Sequence, residues 1–556
     1  MKTVNIELQG KSLKVPKPTT ILALVAAECA PDLGLRRPMG ALVNNRLVPL
    51  DSAVYEGAKV QLVNLQSEAG KEIYRRGCVL VLVEATRRLF PDVRLVVGQS
   101  LGDGYYFDWT GTPGLVPEYL QAIKQEMLKL AELDMPFEQE RTLVQEAERH
   151  FRKLGYQDRV ALLDTFWHET IRLVRCGETI DILHGPIPPS SCYITHFGLA
   201  PYPPGFVWRF PDLRADQNLD EPPRDQSKLF LIHRQNKEWN RSLTVENVGT
   251  LNRLCIHGGI KQLIQVSEGF HEKRIGEIAD AIVRNRQRIR IILIAGPSSS
   301  GKTTFLKRLS VQLMVNGLRP VGLSIDNYYL NRTDTPRDQN GEYDFEALEA
   351  IDVDLFNEQL LALLQGLRIA TPRFNFSSGE RCPKDKWETL QLGPPDVLIC
   401  EGIHALNDRL TSLIPPENKY KIYVSALTQI SLDDINRIHT SDLRMLRRIV
   451  RDRLYRGYKT QETLRLWPSV RRGEAIHIFP FQESANDMFN STLPYETAVL
   501  KVYAERFLLE VPQDDPGYTE VHRLMKFLSL FAGIFPDAVP QNSILREFIG
   551  GSTFKY

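Results

Sequence analysis

The chain has 556 residues, of which 25% are charged and 43% are hydrophobic, and its formal net charge at pH 7 is +1. This length suffices for about three or four domains, and the balanced charge provides no global basic field for nucleic acid, although a local basic groove stays open. The seven cysteines are scattered and form no CxxC pair, which argues against a disulfide framework or a structural zinc site.

The first residues alternate in polarity as a β-strand does, and they contain no apolar core of the length that a signal peptide needs. No window of the sequence approaches the ~18 uninterrupted apolar residues that a membrane-spanning helix requires. We therefore expect a soluble, cytoplasmic protein without a membrane partner. The sequence leaves the oligomeric state open.

Residues 1–65 have the pattern of a small α+β module. Two strands around a Gln-Gly-Lys turn predict a β-hairpin, and a helix and two further strands follow. These predicted elements are Val4–Leu8, Ser12–Val15, Ile21–Cys29, Ala41–Val43 and Lys59–Val63. Their order resembles the TGS domain, the ubiquitin-like (β-grasp) module at the front of threonyl-tRNA synthetases and of some GTPases.

The next part of the chain carries five segments that belong together: Glu72–Leu80, Ala85–Asp92, Gly102–Asp108, Leu133–Glu138 and Arg175–Asp181. With them, residues 66–210 resemble the second additional domain of threonyl- and alanyl-tRNA synthetases. In bacterial threonyl enzymes that domain hydrolyses mischarged tRNA. The resemblance implies an α+β editing-domain-like module.

The active residues of that family are missing from this module. Its HxxxH motif falls on Arg76 and Leu80, and its CxxxH motif falls on Leu183 and Ile187. Because leucine and isoleucine provide no metal ligand, we predict no editing activity. The nearest remaining imidazole and thiol are those of His184 and Cys176. We interpret both as structural and expect a binding or positioning module, in which RNA binding stays open.

Residues 211–285 are predicted to form a connector. The stretch Asp212–Asp225 is polar and contains prolines, as linkers do. A helical pattern from Lys273 to Arg286 then leads into the next strand.

The stretch Arg290–Thr304 organises the second half of the chain. Arg290–Ala295 predicts a short strand, and apolar residues at 305, 306, 309 and 313 have the spacing of one helix face. Small residues between the two would turn successive backbone N–H groups towards a phosphate, which the positive end of the helix would also attract. The predicted nucleotide-binding residues are Gly296, Pro297, Ser298, Ser299, Ser300, Gly301, Lys302, Thr303 and Thr304.

Two side chains of this loop have specific chemistry. Lys302 can reach the β- and γ-phosphates of a nucleoside triphosphate, and the Thr303 hydroxyl can ligate Mg²⁺. The alternative is an ordinary Gly/Ser turn, but the strand before it and the helix after it favour a P-loop. We therefore expect a bound nucleoside triphosphate with Mg²⁺, and the sequence does not decide between ATP and GTP.

Two acidic residues stand where predicted strands end. Asp326 follows Val321–Ile325, and Glu401 follows Asp396–Cys400. Ligands of doubly wound sheets bind beyond the carboxyl ends of the strands, so Asp326 could take a proton from an attacking hydroxyl or hold Mg²⁺. Glu401 has the Walker-B position, and burying its charge without a cation would be costly.

Four arginines, Arg444, Arg447, Arg448 and Arg451, have three- and four-residue helical spacings. One interpretation is a solvated basic helix. The other is a lid whose arginines close over the transferring phosphates and exclude water. Their place downstream of a P-loop and a Walker-B acid favours the lid.

Six motifs of this half resemble the uridine kinase/phosphoribulokinase family. They are residues 296–303, Ser324–Tyr329, Tyr343–Phe345, Pro372–Phe376, Glu401–Ile403 and the arginine run 442–457. By this resemblance Asp326 would be the base on a ribose 5′-hydroxyl, Lys302 would assist transfer, and Thr303 and Glu401 would serve Mg²⁺. The lid arginines would be Arg448, Arg451 and Arg456.

The acceptor side departs from the family pattern. Asp344 would hold ribose hydroxyls, and Tyr329 and Arg381 would line the acceptor site. Phe374 stands where the family has a tyrosine that contacts the pyrimidine, and Gly379 stands where it has a histidine. Because these changes remove polar contacts to the base, pyrimidine specificity is in doubt. The last lid arginine of the family falls on Tyr458.

We therefore predict a multidomain α/β and α+β protein with a Rossmann-like P-loop kinase built on a parallel sheet. The expected parts are a TGS-like domain at 1–65, the editing-domain-like module at 66–210, the connector at 211–285, the kinase at 286–495 and a helical appendage at 496–556. The expected activity is transfer of the γ-phosphoryl of Mg·ATP to a small nucleoside-like acceptor. The alternatives are another small acceptor, such as a sugar phosphate or pantothenate, and an RNA- or ribosome-associated ATP-binding protein.

Overall fold

A computed structural model describes residues 3–28, 36–211, 218–337, 341, 343–375 and 378–555. Within these ranges, no helix combines the length and the apolar character needed to cross a membrane. The predicted residues Cys29, 212–217 and Phe376 lie outside them.

Residues 3–63 form a five-stranded sheet of order β2-β1-β5-β3-β4 around one helix. The elements are β1 (Thr3–Leu8), β2 (Lys11–Pro16), α1 (Ile21–Glu28), β3 (Gly40–Val43), β4 (Arg46–Val48) and β5 (Lys59–Val63). Alternate residues of β1 are buried, so this strand has one face on the core. The β-grasp prediction is confirmed, with β4 as a strand that the sequence pattern did not indicate.

Residues 68–209 hold two antiparallel sheets with helices beside them. The elements are α2 (Glu68–Leu89), β6 (Arg94–Leu101), β7 (Gly104–Thr110), α3 (Pro117–Glu132), β8 (Glu138–Leu143), α4 (Val144–Lys153), α5 (Gln157–Asp164), β9 (Thr170–Cys176), β10 (Thr179–Ile182), β11 (Gly198–Tyr202) and β12 (Gly205–Arg209). The sheet orders are β11-β12-β7-β6 and β10-β9-β8. This mixed composition agrees with the predicted α+β class.

Much of the predicted connector is helical and packed rather than an extended linker. It contains α6 (Ser227–Ser242), α7 (Val248–His257) and α8 (Ile260–Arg284). Leu251 and Ile278 are fully buried in the same hydrophobic cluster as Ile292 of the following sheet. The polar residues of these helices are of the kinds found in linkers, whereas their apolar residues pack into the hydrophobic cluster that includes Ile292.

The second half of the chain is built on a parallel sheet of order β14-β19-β13-β20-β21. Its elements are β13 (Ile291–Ala295), α9 (Lys302–Val315), β14 (Arg319–Ser324), α10 (Val353–Leu364), β15 (Ile369–Thr371), β16 (Phe374–Asn375), β17 (Glu380–Arg381), β18 (Glu388–Leu390), β19 (Asp396–Glu401), β20 (Lys419–Ser425), α11 (Thr440–Arg451), α12 (Thr460–His477) and β21 (Asp487–Asn490). The central strand β13 is buried on both faces, as parallel strands are.

The last helices, which the sequence predicted as a helical appendage, pack into this core. They are α13 (Glu496–Leu508), α14 (Tyr518–Leu528) and the short α15 (Arg546–Ile549). Leu500, Leu545 and Phe548 are fully buried and join the cluster that includes Ile292. The predicted division of the chain at residues 495 and 496 therefore stays a prediction without a matching gap in the packing.

The segment 433–439, which precedes α11, contacts the module 68–209. Asp433 accepts a hydrogen bond from His184 Nε2 at 2.8 Å, and Arg94 pairs with Asp434. Ile435 is buried within the hydrophobic cluster of that module. His439 Nε2 lies 3.2 Å from the Glu72 carboxylate. Residues far apart in the chain thus form one packed interface.

Candidate nucleotide and acceptor site

The predicted P-loop lies between β13 and α9, at the position expected from the sequence. Gly296 packs so closely on the backbone of β20 that a Cβ there would overlap the Val424 carbonyl oxygen. Gly301 is the residue before α9 and has φ +82°, which a glycine adopts without strain. Both glycines are therefore required by local geometry, one by close approach and one by conformation.

The side chains of Lys302 and Thr303 both form hydrogen bonds at the loop. Lys302 Nζ donates to the carbonyl oxygens of Gly296 at 2.8 Å and Pro297 at 3.2 Å, so its ammonium lies across the loop. The Thr303 hydroxyl donates to Glu401 Oε1 at 3.4 Å. This hydroxyl and this carboxylate are the hard oxygen donors that Mg²⁺ prefers.

Asp326 and Glu401 are brought to the same end of the sheet as the P-loop. Glu401, the last residue of β19, is in register with Ile294 of β13 and with Ser324 of β14. Asp326 follows two residues after Ser324, in a short 3₁₀ turn. The strand order therefore places both carboxylates beside the loop that holds Lys302.

Burial and neighbouring charges perturb both carboxylates. Burial raises the pKa of Asp326, and the Lys302 ammonium counteracts that rise. Burial also raises the pKa of Glu401, again opposed by Lys302 and reinforced by the Glu547 and Asp326 carboxylates. One lysine thus provides positive charge to two acids, and an added cation would relieve the remaining repulsion. No group of three or more histidine, cysteine or acidic side chains in the described ranges has the arrangement of a metal site.

Two of the four arginines that the sequence placed on one lid face are structural. Arg444 forms a bidentate pair with Glu474, with both contacts at 2.6 Å, and Arg447 forms one with Glu496, also at 2.6 Å. Both arginines are buried, and they also donate to the carbonyl oxygens of the P-loop residues Ser298 and Ser299. These guanidinium groups are therefore bound to the P-loop backbone and to buried carboxylates, and they are not available for a mobile lid.

The other arginines surround one buried carboxylate. Asp452 contacts Arg448 Nε at 3.2 Å, Arg451 Nη2 at 2.7 Å and Arg456 Nε at 3.9 Å. Arg448 also donates to the Ser298 hydroxyl at 3.0 Å. Because three cations share one anion, this group carries excess positive charge next to the P-loop. The predicted lid residues Arg448, Arg451 and Arg456 are therefore placed together near the phosphate-binding loop.

Three predicted acceptor residues, Tyr329, Phe374 and Arg381, contact one another or the backbone close to Asp326 in the sequence. The rings of Tyr329 and Phe374 are 5.6 Å apart, and Phe374 is buried. Burial raises the pKa of Tyr329 well above its ordinary value, and three nearby carboxylates, of which Asp326 is one, add to the rise. Arg381 donates to Asp352 at 3.0 Å and to the backbone oxygen of Tyr329 at 3.2 Å. Part of its guanidinium therefore fixes the backbone at Tyr329.

Asp344 was predicted from its sequence motif, whereas Glu346 beside it was missed. The Glu346 backbone N–H donates to the Asp344 carboxylate at 3.1 Å, which turns the chain so that both acids belong to one short segment. Burial raises the pKa of Glu346 to about 7, with further contributions from Glu474, Asp344 and Asp326 and an opposing one from Arg448. The only sequence feature that could have drawn attention to Glu346 is its position two residues after Asp344.

Two further carboxylates were also missed, and they bind the P-loop itself. Glu474 accepts a hydrogen bond from the Ser298 backbone N–H at 2.8 Å. Glu547 accepts one from the Thr304 backbone N–H at 3.1 Å and one from the Thr304 hydroxyl at 2.7 Å. The loop therefore binds oxygen anions through its backbone, which is the property that a phosphate requires. No local sequence signal indicates these contacts, because each joins distant segments.

The part of the chain that carries this site matches a known protein family. Residues 291–497, less than half of the chain, match the model of the Phosphoribulokinase / Uridine kinase family. A solved protein from Bacillus stearothermophilus, described as a possible uridine kinase, is 16% identical, with a TM-score of 0.26; the match covers 38% of this chain and 97% of that one.

The N-terminal region matches a different group of proteins. The threonine–tRNA ligase of Desulforamulus reducens is 30% identical over 191 residues, which cover 34% of this chain and 30% of the relative. The threonine–tRNA ligase of Thermotoga maritima is 31% identical over 189 residues, or 34% of this chain and 29% of the relative. The chain thus spans about a third of the length of these curated relatives. It combines a kinase-family region with a region similar to tRNA ligases.

Proposed function

We propose that this chain, whose residues 291–497 match a family of P-loop kinases, transfers the γ-phosphoryl group of ATP to an alcohol hydroxyl of a small molecule. The observation that carries the proposal is the convergence of Lys302, Asp326 and Glu401 at one end of the parallel sheet. A phosphate cradle beside a buried carboxylate is the arrangement that phosphoryl transfer to a hydroxyl needs. The leading acceptor is the 5′-hydroxyl of a nucleoside ribose.

The residues would divide the work by charge. Asp326 would accept the proton of the attacking hydroxyl, and Lys302 would neutralise charge on the transferred group. As the bond from the acceptor oxygen to the γ-phosphorus forms, the bond to the bridging β–γ oxygen breaks and ADP leaves. Arg448 and Arg451 would stabilise the charge that develops in this step.

Mg²⁺ fits the pair formed by Thr303 and Glu401. The Thr303 hydroxyl and the Glu401 carboxylate are 3.4 Å apart, and hard oxygen donors of this kind hold Mg²⁺ together with phosphate oxygens and water. When bound, the ion would neutralise phosphate charge. Glu401 would fix the position of the cation, while Asp326 remains available to the acceptor.

The acceptor side favours a neutral polyol over an anionic substrate. Asp344 and Glu346 would accept hydrogen bonds from ribose hydroxyls, whereas a sugar phosphate would be repelled by the same carboxylates. Phe374 provides an apolar ring, and no imidazole stands at Gly379 to contact a base. A nucleoside therefore remains the leading acceptor without a prediction of which base, and another small neutral alcohol is the alternative. Pantothenate carries a carboxylate, so the same repulsion disfavours it.

A second candidate function involves RNA, and the similarity to threonine–tRNA ligases motivates it. In this proposal the chain would be an RNA- or ribosome-associated ATP-binding protein that uses its TGS-like and editing-domain-like modules. The balanced overall charge and the missing editing ligands at Arg76, Leu80, Leu183 and Ile187 count against it. RNA that co-purifies with the protein and stimulates ADP release without a small acceptor would favour this candidate.

An acceptor screen tests the first proposal. Purified protein with Mg·ATP is incubated with nucleosides, ribose derivatives, sugar phosphates and pantothenate, and ADP release and phosphorylated product are measured. Asp326→Asn should lose most turnover with the active acceptor while keeping ATP affinity. The matched control is Asp334→Asn, at an exposed position in the following turn. Full turnover in Asp326→Asn would refute the assigned base.

A further inference from the structure

Glu547 binds a part of the P-loop that a nucleotide needs. Its carboxylate accepts hydrogen bonds from both the backbone N–H and the hydroxyl of Thr304, in the first turn of α9. In a P-loop the backbone N–H groups of the loop and the first helical turn hold the α- and β-phosphates. The anion that the loop holds in this structure is thus a side chain of the same protein.

The contact is held by a well-packed segment. We call residues 543–550 the capping segment. Ile544, Leu545 and Phe548 of this segment are fully buried. A Cβ placed on Gly301 would lie 2.5 Å from Ile544, so the segment covers the last glycine of the loop directly. Because these apolar side chains anchor the segment, Glu547 is presented to Thr304 at a fixed position.

The capping segment also contacts the arginine-bearing elements. The Arg447 guanidinium lies 4.9 Å from the centre of the Phe548 ring. Tyr455, in the turn that follows α11, packs on Gly550 so closely that no side chain fits at that glycine. The turn at residues 452–456 and the capping segment are therefore in direct contact.

A triphosphate cannot share this position with Glu547. The phosphates and the carboxylate would compete for the same two donors of Thr304, and their negative charges would repel each other. The Glu547 carboxylate already acts on Glu401 in this way, since it contributes to the rise of the pKa of Glu401. Nucleotide binding therefore requires that the Glu547 side chain leave Thr304.

We propose that the capping segment is an autoinhibitory element in which Glu547 competes with nucleotide phosphates for Thr304, and that its contact with Tyr455 couples its release to the lid. This inference rests on the proposed function, since it requires that the P-loop bind a nucleotide. It goes beyond that function in predicting that the wild-type chain binds nucleotide more weakly than the same P-loop would without the Glu547 carboxylate.

The test measures dissociation constants of Mg·ATP and Mg·ADP by calorimetry on full-length variants. Glu547→Gln removes the charge and keeps the shape, and Glu547→Ala also removes the acceptor. The matched control is Glu505→Gln, which breaks a helix-surface pair with Lys501 away from the loop. Lys302→Ala serves as the variant that should lose nucleotide binding.

We expect both Glu547 variants to bind nucleotide on the order of tenfold more tightly than wild type, the size of a capping interaction at a helix N-terminus. Glu505→Gln should match wild type. Tyr455→Ala should also tighten binding, and unchanged affinity there would refute the coupling to the lid. Equal, measurable affinities of wild type and Glu547 variants would overturn the inference alone. Absence of binding in every variant would refute the proposed function as well.

Discussion

The carboxyl group of Glu346 makes the stability of this protein depend on pH in a predictable direction. Burial, assisted by the negative charges of Glu474, Asp344 and Asp326, raises its pKa from an ordinary value of 4.5 to about 7. A group that binds its proton more tightly in the folded chain lowers the free energy of unfolding as pH rises through this interval. At about 1.4 kcal/mol per pH unit, the loss is on the order of 3 kcal/mol between pH 4.5 and pH 7.

Glu346→Gln should remove that loss, because an amide does not ionise. The variant and wild type are melted in parallel from pH 4.5 to pH 8, and the difference between their melting temperatures is plotted against pH. We expect the difference to grow in favour of the variant by several degrees and to level off above pH 7. The control is Glu358→Gln on the exposed face of α10, whose difference should stay flat. A difference that does not change with pH in Glu346→Gln would refute this reasoning.

Three further predictions concern the loop and its supports. Gly296→Ala should abolish nucleotide binding in calorimetry, because the new Cβ would overlap the Val424 carbonyl oxygen. The control is Gly114→Ala, at an exposed position where a Cβ meets open space. Glu474→Gln should destabilise the chain by about 3–5 kcal/mol in denaturant unfolding, since it leaves the buried Arg444 without its anion, and an unchanged midpoint would contradict this. Asp452→Asn should lower kcat more than it changes nucleotide affinity, because it releases Arg448, Arg451 and Arg456 from their shared carboxylate. An equal loss in kcat and in nucleotide affinity would count against the proposal that these arginines form a lid.

Local sequence was sufficient where neighbours along the chain determine the structure. The strand, loop and helix around Lys302 follow from a short apolar run, small residues and an amphipathic stretch, and β13 and α9 have nearly the predicted bounds. Asp326 and Glu401 could be placed because parallel strands bring their carboxyl ends to one edge.

Tertiary partners could not be predicted from local patterns. Helical spacing put Arg444 and Arg448 on one face, but it did not indicate that Arg444 would be buried in a bidentate pair with Glu474 while Arg448 would share the Asp452 carboxylate. The polar, proline-bearing stretch 212–225 led to the prediction of a connector, but it did not indicate that the apolar residues of the helices at 227–284 pack into the core. Glu547 lies more than two hundred residues after Thr304, so no local pattern joins them.

The segment just before α11 has a mechanical consequence. Asp433, Arg437 and His439 contact His184, Ser100 and Glu72 respectively, and α11 begins at Thr440. The residues just before α11 are therefore held by contacts with the module 68–209, and α11 begins at that interface. A displacement of the module 68–209 at these contacts would therefore also displace the start of the helix that carries Arg444, Arg447, Arg448 and Arg451.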